Sequence, residues 1–201
     1  MEPIRTASPT CLLPEEAETR RDVMRWRKAQ RLEMIAARQA MAVADRQLAD
    51  AKISDALAAE VGMVIGLYWP FKGEPDLRVW AAQRRANGAQ IALPVVVEKG
   101  QPLQFRLWRP EIKLERGVWD IPVPPPDAPV LHPDLIIAAV VGVDPAGFRL
   151  GYGGGFYDRT LAAERTAGHH ARVVGIGFGF QALPTIFPLP HDIPMDRVVL
   201  A

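Results

Sequence analysis

Apolar residues in the first quarter of the chain recur at helical spacing. Five of them fall on one stripe: Leu32, Ile35, Ala36, Ala40 and Val43. This period predicts an amphipathic helix with the stripe turned inward. Arg27, Arg31 and Arg38 share another face of the same helix, and their spacing alone assigns them to solvent. A second, shorter helix is predicted over residues 54–60.

Strand-like and helix-like segments alternate after residue 60. Apolar runs or alternating patterns of strand length occupy residues 63–69, 90–97, 103–108, 135–143, 172–180 and 197–200. Helical patterns occupy residues 75–86, which end at Asn87 and Gly88, and residues 156–166. Residues 109–134 contain a run of prolines and are predicted to be irregular. The alternation predicts an α/β fold: a single domain with a mostly parallel sheet flanked by helices in three α/β/α layers, and with a basic N-terminal helix.

Length and composition fit one α/β domain with a short N-terminal extension. The chain has 201 residues, of which 49% are hydrophobic and 23% charged, as in ordinary globular domains. Prolines and small polar residues near the start predict a flexible tail over residues 1–20, followed by the domain over residues 21–201. Cys11 is the only cysteine, so an internal disulfide and a thiolate metal cluster are excluded.

Charge and hydropathy argue against nucleic-acid and membrane partners. The chain has 24 basic and 23 acidic residues, with a net charge of +1, whereas a nucleic-acid binder normally carries a basic excess. The longest apolar run, residues 135–143, is far shorter than the ~20 residues with which a helix crosses a bilayer. The N-terminus lacks a secretory signal pattern, so the expected location is the cytoplasm.

A glycine loop, residues 151–155, separates an apolar run from a predicted helix. Between Arg149 and Arg159 lie four glycines: Gly151, Gly153, Gly154 and Gly155. Glycine lets the backbone approach a ligand closely, and amides at a helix start attract anions. Asp158 adds a carboxylate able to hold a hard cation. The pattern is typical either of a phosphate-binding loop or of an ordinary turn. It lacks the third glycine of the dinucleotide fingerprint, where Phe156 stands, and the lysine of the P-loop.

Two further loops carry polar side chains at the same edge of the predicted sheet. Lys72 and Glu74 follow the run at residues 63–69, and Asp192 follows the run at residues 172–180. Ligands of α/β sheets bind at the carboxyl ends of the strands, where the glycine loop also lies. We expect these three loops to line one cleft.

One segment resembles a specific family signature. Residues 143–159, VDPAGFRLGYGGGFYDR, are similar to the motif of the 5-formyltetrahydrofolate cyclo-ligase family, also called 5,10-methenyltetrahydrofolate synthetases. Other landmarks of that family follow in the same order along the chain: Tyr68 and Pro70 with Glu74, Leu93 and Pro94, Gln181 and Pro184, His191 and Asp192, and Asp196. The resemblance covers roughly residues 25–200 and includes the basic N-terminal helix.

The resemblance implies an ATP-dependent enzyme. The family closes the ring of 5-formyltetrahydrofolate to 5,10-methenyltetrahydrofolate and releases ADP and phosphate, through phosphorylation of the formyl oxygen. ATP is thus the implied co-substrate and Mg²⁺ the implied metal. The implied partner is 5-formyltetrahydrofolate, with or without a polyglutamate chain, and the expected state is a monomer.

The resemblance also implies roles for individual residues. Those implied to bind ATP are Arg27, Lys28, Arg31, Arg149, Leu150, Gly151, Tyr152, Gly153, Gly154, Gly155, Phe156 and Tyr157. Those implied to bind the folate are Arg31, Trp69, Glu74, Tyr152, Gly153, Gly154, Gly155 and Phe156. The implied catalytic residues are Arg149 and Tyr157, and the implied metal ligands are Asp158 and Asp192.

Several positions allow two interpretations. The family commonly has lysine at the first basic position of the N-terminal helix, so either Arg27 or its neighbour Lys28 contacts ATP. Trp69 either stacks on the pterin or packs in the core. His191 is either a general acid–base or a packed loop residue, and His132, His169 and His170 are assigned to the surface or to loops.

Two other functions compete with the ATP-dependent cyclo-ligase. A non-catalytic folate- or nucleotide-binding relative would show a degraded phosphate or metal site, whereas Arg149, the four glycines, Asp158 and Asp192 are all present. A Rossmann-type NAD enzyme would carry its glycine loop after the first strand, not late in the chain. Both are therefore disfavoured.

Overall fold

The computed structural model describes residues 20–201. Its helices are α1 (Arg20–Ala40), α2 (Val43–Ala56), α3 (Arg78–Ala86) and α4 (Phe156–Thr166). Its strands are β1 (Val64–Gly66), β2 (Gln90–Val95), β3 (Gln104–Trp108), β4 (Glu115–Arg116), β5 (Pro122–Val123), β6 (Val130–Leu131), β7 (Leu135–Ala139), β8 (Gly142–Val143), β9 (Arg149–Leu150), β10 (Arg172–Gly177) and β11 (Arg197–Leu200). Apart from Arg20, the predicted N-terminal tail lies outside the described residues.

Seven strands form a central sheet in the order β11-β10-β7-β1-β2-β3-β6. The first five run parallel, and β3 and β6 add antiparallel strands on one side. The prediction of a mostly parallel sheet is confirmed. Within residues 20–201, no helix is long and apolar enough to span a membrane.

Helices cover both faces of the sheet. On β7, Leu135 and Ile137 belong to the core under α2 and α3, whereas the alternate residue Ile136 belongs to the core under α4. Successive side chains of a strand point to opposite faces, so a central strand buried on both sides reads as one apolar run. The three-layer α/β/α prediction is confirmed.

The inward face of α1 is not the predicted apolar stripe. Leu32 is 65% exposed, and Val43, which begins α2, is 68% exposed. The buried face instead includes Arg27 and Arg38 among its apolar residues. The solvent position expected for these two arginines is wrong, because α1 packs over a polar cleft and the β8–β9 hairpin. Carbonyl and carboxylate oxygens there accept hydrogen bonds from the two guanidinium groups.

Three other predicted elements differ from the structure. Residues 54–60 are the end of α2 and a turn, not a separate helix. Residues 135–143 form β7 and β8 with a bend between them, where the buried amide of Gln181 donates to two carbonyl oxygens at 2.7 and 2.9 Å. Of residues 63–69, only the three of β1 are strand.

Residues 109–134, predicted to be irregular, contain a small hairpin. β4 and β5 pair antiparallel around a single 3₁₀ turn, Val118–Asp120. Trp119 and Asp120 have φ values of 58° and 63°, a region that residues other than glycine rarely adopt. We call this segment, residues 115–123, the β4–β5 hairpin; its apolar side chains face the cleft described next.

Candidate active site

The loops at the carboxyl ends of β1, β7 and β10 open onto one cleft of about 270 Å³. The loop after β1 contributes Trp69 and Glu74, the chain after β7 contributes the glycine loop, and the loop after β10 contributes Asp192. Helix α1 closes one side with Arg27 and Arg31. The predicted convergence of the three loops is confirmed.

Arg149 lies on β9 at the wall of the cleft and is 8% exposed. Its Nη2 donates to Oδ1 of Asp158 at 2.7 Å, and its Nη1 donates to the carbonyl oxygen of Ile193 at 3.2 Å. The guanidinium carbon lies 5.3 Å from the ring centre of Tyr157. Burial lowers the pKa of Arg149, and the charge of Asp158 opposes this effect. Because an arginine pKa starts so high, the group remains a cation held in one orientation.

Asp192 forms a second ion pair in the cleft. Arg27 donates through Nη2 to its Oδ2 at 2.5 Å, and the Leu189 N–H donates to the same oxygen at 2.7 Å. Two carbonyl oxygens, of Ile186 and Phe187, hold Arg27 at 2.8 Å each. Burial alone would raise the pKa of Asp192, but the hydrogen bonds from Arg27 and Leu189 outweigh it and lower the pKa. The carboxylate is therefore ionised at neutral pH.

Each aspartate keeps one carboxylate oxygen out of these ion pairs. Within residues 20–201, neither Oδ2 of Asp158 nor Oδ1 of Asp192 accepts a hydrogen bond, although the latter lies 3.9 Å from Nε2 of His191. Both residues line the cleft. Mg²⁺ prefers such oxygens, usually one or two carboxylates together with phosphate oxygens and water. The donor set therefore fits Mg²⁺.

The glycine loop leads directly into the first turn of α4. Two of its glycines have positive φ, +95° and +62°, which glycine adopts without steric strain. Nε of Arg31 donates to the carbonyl oxygen of Gly151 at 2.6 Å, and Arg159 donates to the carbonyl oxygen of Gly154. Arginines thus hold the loop carbonyls, and the positive end of the α4 dipole lies beside the cleft.

Glu74 is a buried carboxylate, 7% exposed, that lines the cleft. Tyr152 of the glycine loop donates its hydroxyl to Oε1 at 2.9 Å, and the Phe71 N–H donates to Oε2 at 3.1 Å. The fully buried Arg38 donates to the Tyr152 oxygen at 2.5 Å and lies 3.7 Å from Oε1 of Glu74. Burial raises the pKa of Glu74 above its ordinary value, and the charge of Arg38 with these hydrogen bonds opposes the shift.

Aromatic rings surround this carboxylate. The ring centres of Phe71 and Trp119 lie 5.8 and 6.1 Å from that of Tyr152. Trp69 packs edge-to-face on Trp108 at 5.8 Å and against the core, as one interpretation predicts. It also lines the cleft, and its stacking on the pterin stays a prediction. Flat apolar walls beside a carboxylate suit a flat ring that carries N–H donors.

Most predicted site residues line the cleft. They are Arg27, Arg31, Trp69, Glu74, Arg149, Gly151, Tyr152, Gly153, Gly154, Gly155, Phe156, Tyr157, Asp158 and Asp192. Lys28 is exposed and does not, so Arg27 is the basic residue of that pair at the cleft. Leu150 is 1% exposed and packs in the core beneath α1. The packed interpretation of His191 is wrong, because its side chain is 61% exposed.

The sequence patterns miss one residue behind the cleft wall and one segment that lines the cleft. Spacing alone assigns Arg38 to solvent, whereas it is buried against Tyr152 and Glu74. Val118 and Trp119 of the β4–β5 hairpin also line the cleft. In the sequence they are two large apolar residues within a segment predicted to be irregular. This pattern indicates that they pack against another part of the protein, but it does not indicate which part.

The cleft has two chemically different ends. One is cationic and lies at the N-terminus of α4, which suits phosphate groups; the other presents a carboxylate between aromatic rings. Ligands of α/β enzymes bind at this carboxyl edge of a parallel sheet, and the two ends fit a ligand that carries phosphate groups and one that carries a flat ring. The family model described as the 5-formyltetrahydrofolate cyclo-ligase family matches residues 17–201. The chain therefore belongs to this family, as its motifs predict.

Individual relatives agree with the family assignment. A 5-formyltetrahydrofolate cyclo-ligase of Mycolicibacterium smegmatis is 32% identical over 150 residues, 69% of this chain and 73% of that protein. One from Escherichia coli K12 is 30% identical over 140 residues, 67% of this chain and 76% of that protein. The NMR structure of a 5,10-methenyltetrahydrofolate synthetase from Aquifex aeolicus matches with a TM-score of 0.72 and 25% identity, over 87% of this chain and 89% of that one.

A second solved structure supports the fold alone. The 5,10-methenyltetrahydrofolate synthetase of Mycoplasma pneumoniae has a TM-score of 0.69 and 21% identity, over 86% of this chain and 96% of that one.

Proposed function

We propose that this cleft performs the ATP-dependent ring closure of 5-formyltetrahydrofolate to 5,10-methenyltetrahydrofolate, with release of ADP and phosphate. Family membership makes the chain an ATP-dependent ligase and favours a catalyst over a non-catalytic binding relative. At the level of residues, one observation carries the proposal. Tyr152 belongs to the glycine loop and donates to Glu74, so the phosphate-binding and heterocycle-binding ends form a single site.

The reaction needs the formyl oxygen to become a leaving group. In the proposed route this oxygen attacks the γ-phosphorus of ATP, the bond to the β-phosphate oxygen breaks, and ADP departs. N10 of the folate then attacks the activated formyl carbon and loses its proton. The carbon–oxygen bond breaks, and phosphate leaves with the former formyl oxygen. Phosphoryl transfer of this kind depends on positioning and on neutralising spread negative charge.

The cationic end supplies that neutralisation. Arg149 is buried and fixed by Asp158 and Ile193, so its charge needs no reorganisation when the phosphoryl group moves. We assign Arg27, Arg31 and the loop amides of residues 151–155 to the ATP phosphates. Tyr157 lies beside Arg149, and burial raises its pKa, so its hydroxyl stays protonated and able to donate to the transferred phosphoryl group.

Asp158 and Asp192 are the residues that would hold Mg²⁺, through the oxygens that Arg149 and Arg27 leave free. The ion supplies charge neutralisation at the phosphate oxygens when bound. The two arginines hold the aspartates in one orientation, which is their own contribution to the site.

The aromatic end positions the folate. We propose that Glu74 accepts hydrogen bonds from the N–H groups of the pterin, with Trp69 and Phe156 against its ring and Arg31 near its N5–N10 side. Both mono- and polyglutamylated forms enter the proposal as substrates, acted on by a monomeric chain in the cytoplasm.

The direct test is an absorbance assay for methenyltetrahydrofolate, started from 5-formyltetrahydrofolate with and without ATP and Mg²⁺. We expect product only when all three are present. Binding of the folate without an ATP-dependent absorbance change, in protein shown to be folded, would favour the non-catalytic alternative.

Tyr152→Phe tests the connection between the two ends of the cleft. It removes the hydroxyl that donates to Glu74 and accepts from Arg38, while the ring stays. We expect kcat/KM for the folate to fall about two- to tenfold, the range for one hydrogen bond, with little change in KM for ATP. Steady-state kinetics with each substrate varied separately measures both. An equal rise of both KM values would contradict the assignment.

Gly153→Val tests the backbone of the glycine loop. Gly153 has φ +95°, and an added Cβ would lie 3.4 Å from the Arg31 guanidinium. The strain should lower nucleotide affinity about tenfold or more, from a cost of order 1–3 kcal/mol. Gly88→Val is the matched control, because Gly88 has φ +94°, lies outside the cleft lining, and its added Cβ would meet nothing within 4 Å. Calorimetric titration with ATP measures the affinity of both variants. Equal affinities would contradict the assignment of the glycine loop to the nucleotide.

A further inference from the structure

Outside the cleft, three metal-ligating side chains meet on the surface. They are His132, after β6, Glu164, near the end of α4, and His169, after α4. One ligand atom from each lies within 4.8 Å of the others. Nδ1 of His132 is 2.9 and 3.1 Å from the two oxygens of Glu164, and the two imidazole rings stack at 4.2 Å with an angle of 15°.

The backbone brings these residues together from rigid elements. Gly168, at φ +87°, ends α4, and the His169 N–H then donates to the carbonyl oxygen of Glu164 at 2.8 Å. His132 precedes Pro133, which favours extended backbone at the residue before it. The cluster is therefore held at its backbone, while the histidine side chains, exposed to solvent, can rotate.

The chemistry of the three ligands selects one class of metal. Two imidazole nitrogens and one carboxylate suit Zn²⁺ and related transition metals, whereas Mg²⁺ prefers oxygen ligands alone. Zinc–nitrogen bonds of about 2.0–2.1 Å place tetrahedral ligand atoms about 3.3 Å apart. The three ligand atoms lie within 4.8 Å of one another, so binding requires the two exposed imidazoles to rotate inward. Glu164 has a side chain only 19% exposed, so it starts partly ordered.

We infer that His132, Glu164 and His169 bind a divalent transition-metal ion such as Zn²⁺, with a fourth position open to water. The ion takes the place of the proton between His132 and Glu164. This site is separate from the cleft: α4 begins beside the glycine loop and ends at the cluster, and none of the three residues lines the cleft. The inference does not depend on the proposed function. Metal binding would join the end of α4 to the segment before β7.

Calorimetric titration of the full chain with Zn²⁺ at neutral pH, in excess Mg²⁺, tests the site. The Cys11→Ser background removes the one thiol that competes for zinc. We expect one ion per chain, and at least a tenfold loss of affinity in each of His132→Gln, Glu164→Gln and His169→Gln. His170→Gln is the matched control, because it removes an exposed neighbouring imidazole outside the cluster and should leave affinity unchanged.

A second readout separates loss of ligands from loss of fold. Co²⁺ in place of Zn²⁺ should give visible absorption bands that disappear in the three variants, while far-ultraviolet circular dichroism stays the same. No zinc binding by the parent chain would overturn the inference. So would affinity that persists in His132→Gln and His169→Gln, since the ion would then lie elsewhere.

Discussion

Asp158→Asn should lower turnover about a thousandfold, at the upper end of what one electrostatic group contributes to a transition state, while the chain stays folded. The asparagine oxygen can still accept from Arg149 and from the Ile193 N–H, which Asp158 binds at 2.7 and 3.1 Å. What is lost is the negative charge. Without it the proposed metal site would lose one carboxylate ligand, and the buried Arg149 would lose its counter-charge.

The measurement is turnover as a function of Mg²⁺ concentration, with thermal unfolding in parallel. Glu60→Gln is a matched control, because Glu60 also binds two arginines, Arg172 at 3.0 Å and Arg197 at 2.7 Å, and lies outside the cleft. We expect it to change stability but not the Mg²⁺ dependence. Full activity of Asp158→Asn at limiting Mg²⁺ would show that the assigned metal role is wrong.

Glu74→Gln should lower kcat/KM for the folate about a hundredfold, the effect of losing charge-assisted hydrogen bonds in a buried site. The amide keeps the shape of the side chain but offers one acceptor atom in place of two. The loss should appear with the folate and not with ATP, because Glu74 lies at the aromatic end of the cleft. A loss confined to KM for ATP would contradict the assignment of the two ends.

The same variant should change how stability depends on pH. Burial raises the pKa of Glu74 above its ordinary 4.5, so the native chain binds this proton more tightly than the unfolded chain. The contribution of the protonated form is complete below the ordinary pKa and is lost as pH rises through the raised pKa. Glu74→Gln cannot titrate, so its stability should fall less over that interval. Thermal unfolding across the pH range measures the slope, and an unchanged slope would contradict the assignment.

The sequence predicts best those elements in which the spacing of apolar residues matches the side chains that are buried in the core. The bounds of α4 and β11 agree with the predicted residues 156–166 and 197–200, because their neighbours are apolar and their ends carry turn residues. The buried face of helix α1 does not agree with its predicted apolar stripe. Its apolar stripe predicts a helix on an apolar surface, whereas the buried Arg27 and Arg38 donate to carbonyl and carboxylate oxygens.

Residue patterns alone predict the chemistry of the site in one continuous segment, whereas the roles of Arg27, Glu74 and Asp192 are predicted from the family resemblance. Residues 149–158 carry the glycine loop, Arg149 and Asp158 together, so local order in the chain indicates local order in space. Trp119 lines the cleft, and Arg38 supports Tyr152 from behind the cleft wall. They lie 33 and 114 residues from Tyr152 along the chain. Only the folding of the sheet brings these two residues close to Tyr152. The spacing of apolar residues along the chain does not predict such long-range contacts.

The hydroxyl of Tyr152 has a consequence for the order of events in the cleft. A ligand N–H that donates to Glu74 Oε1 shares this acceptor atom with the hydroxyl, which belongs to the loop assigned to the nucleotide. We therefore expect the free energy of filling one end to depend on whether the other is filled, and such a dependence is reciprocal. In the proposed site each substrate would change the affinity of the other through one shared oxygen atom, without any movement of the sheet beneath them.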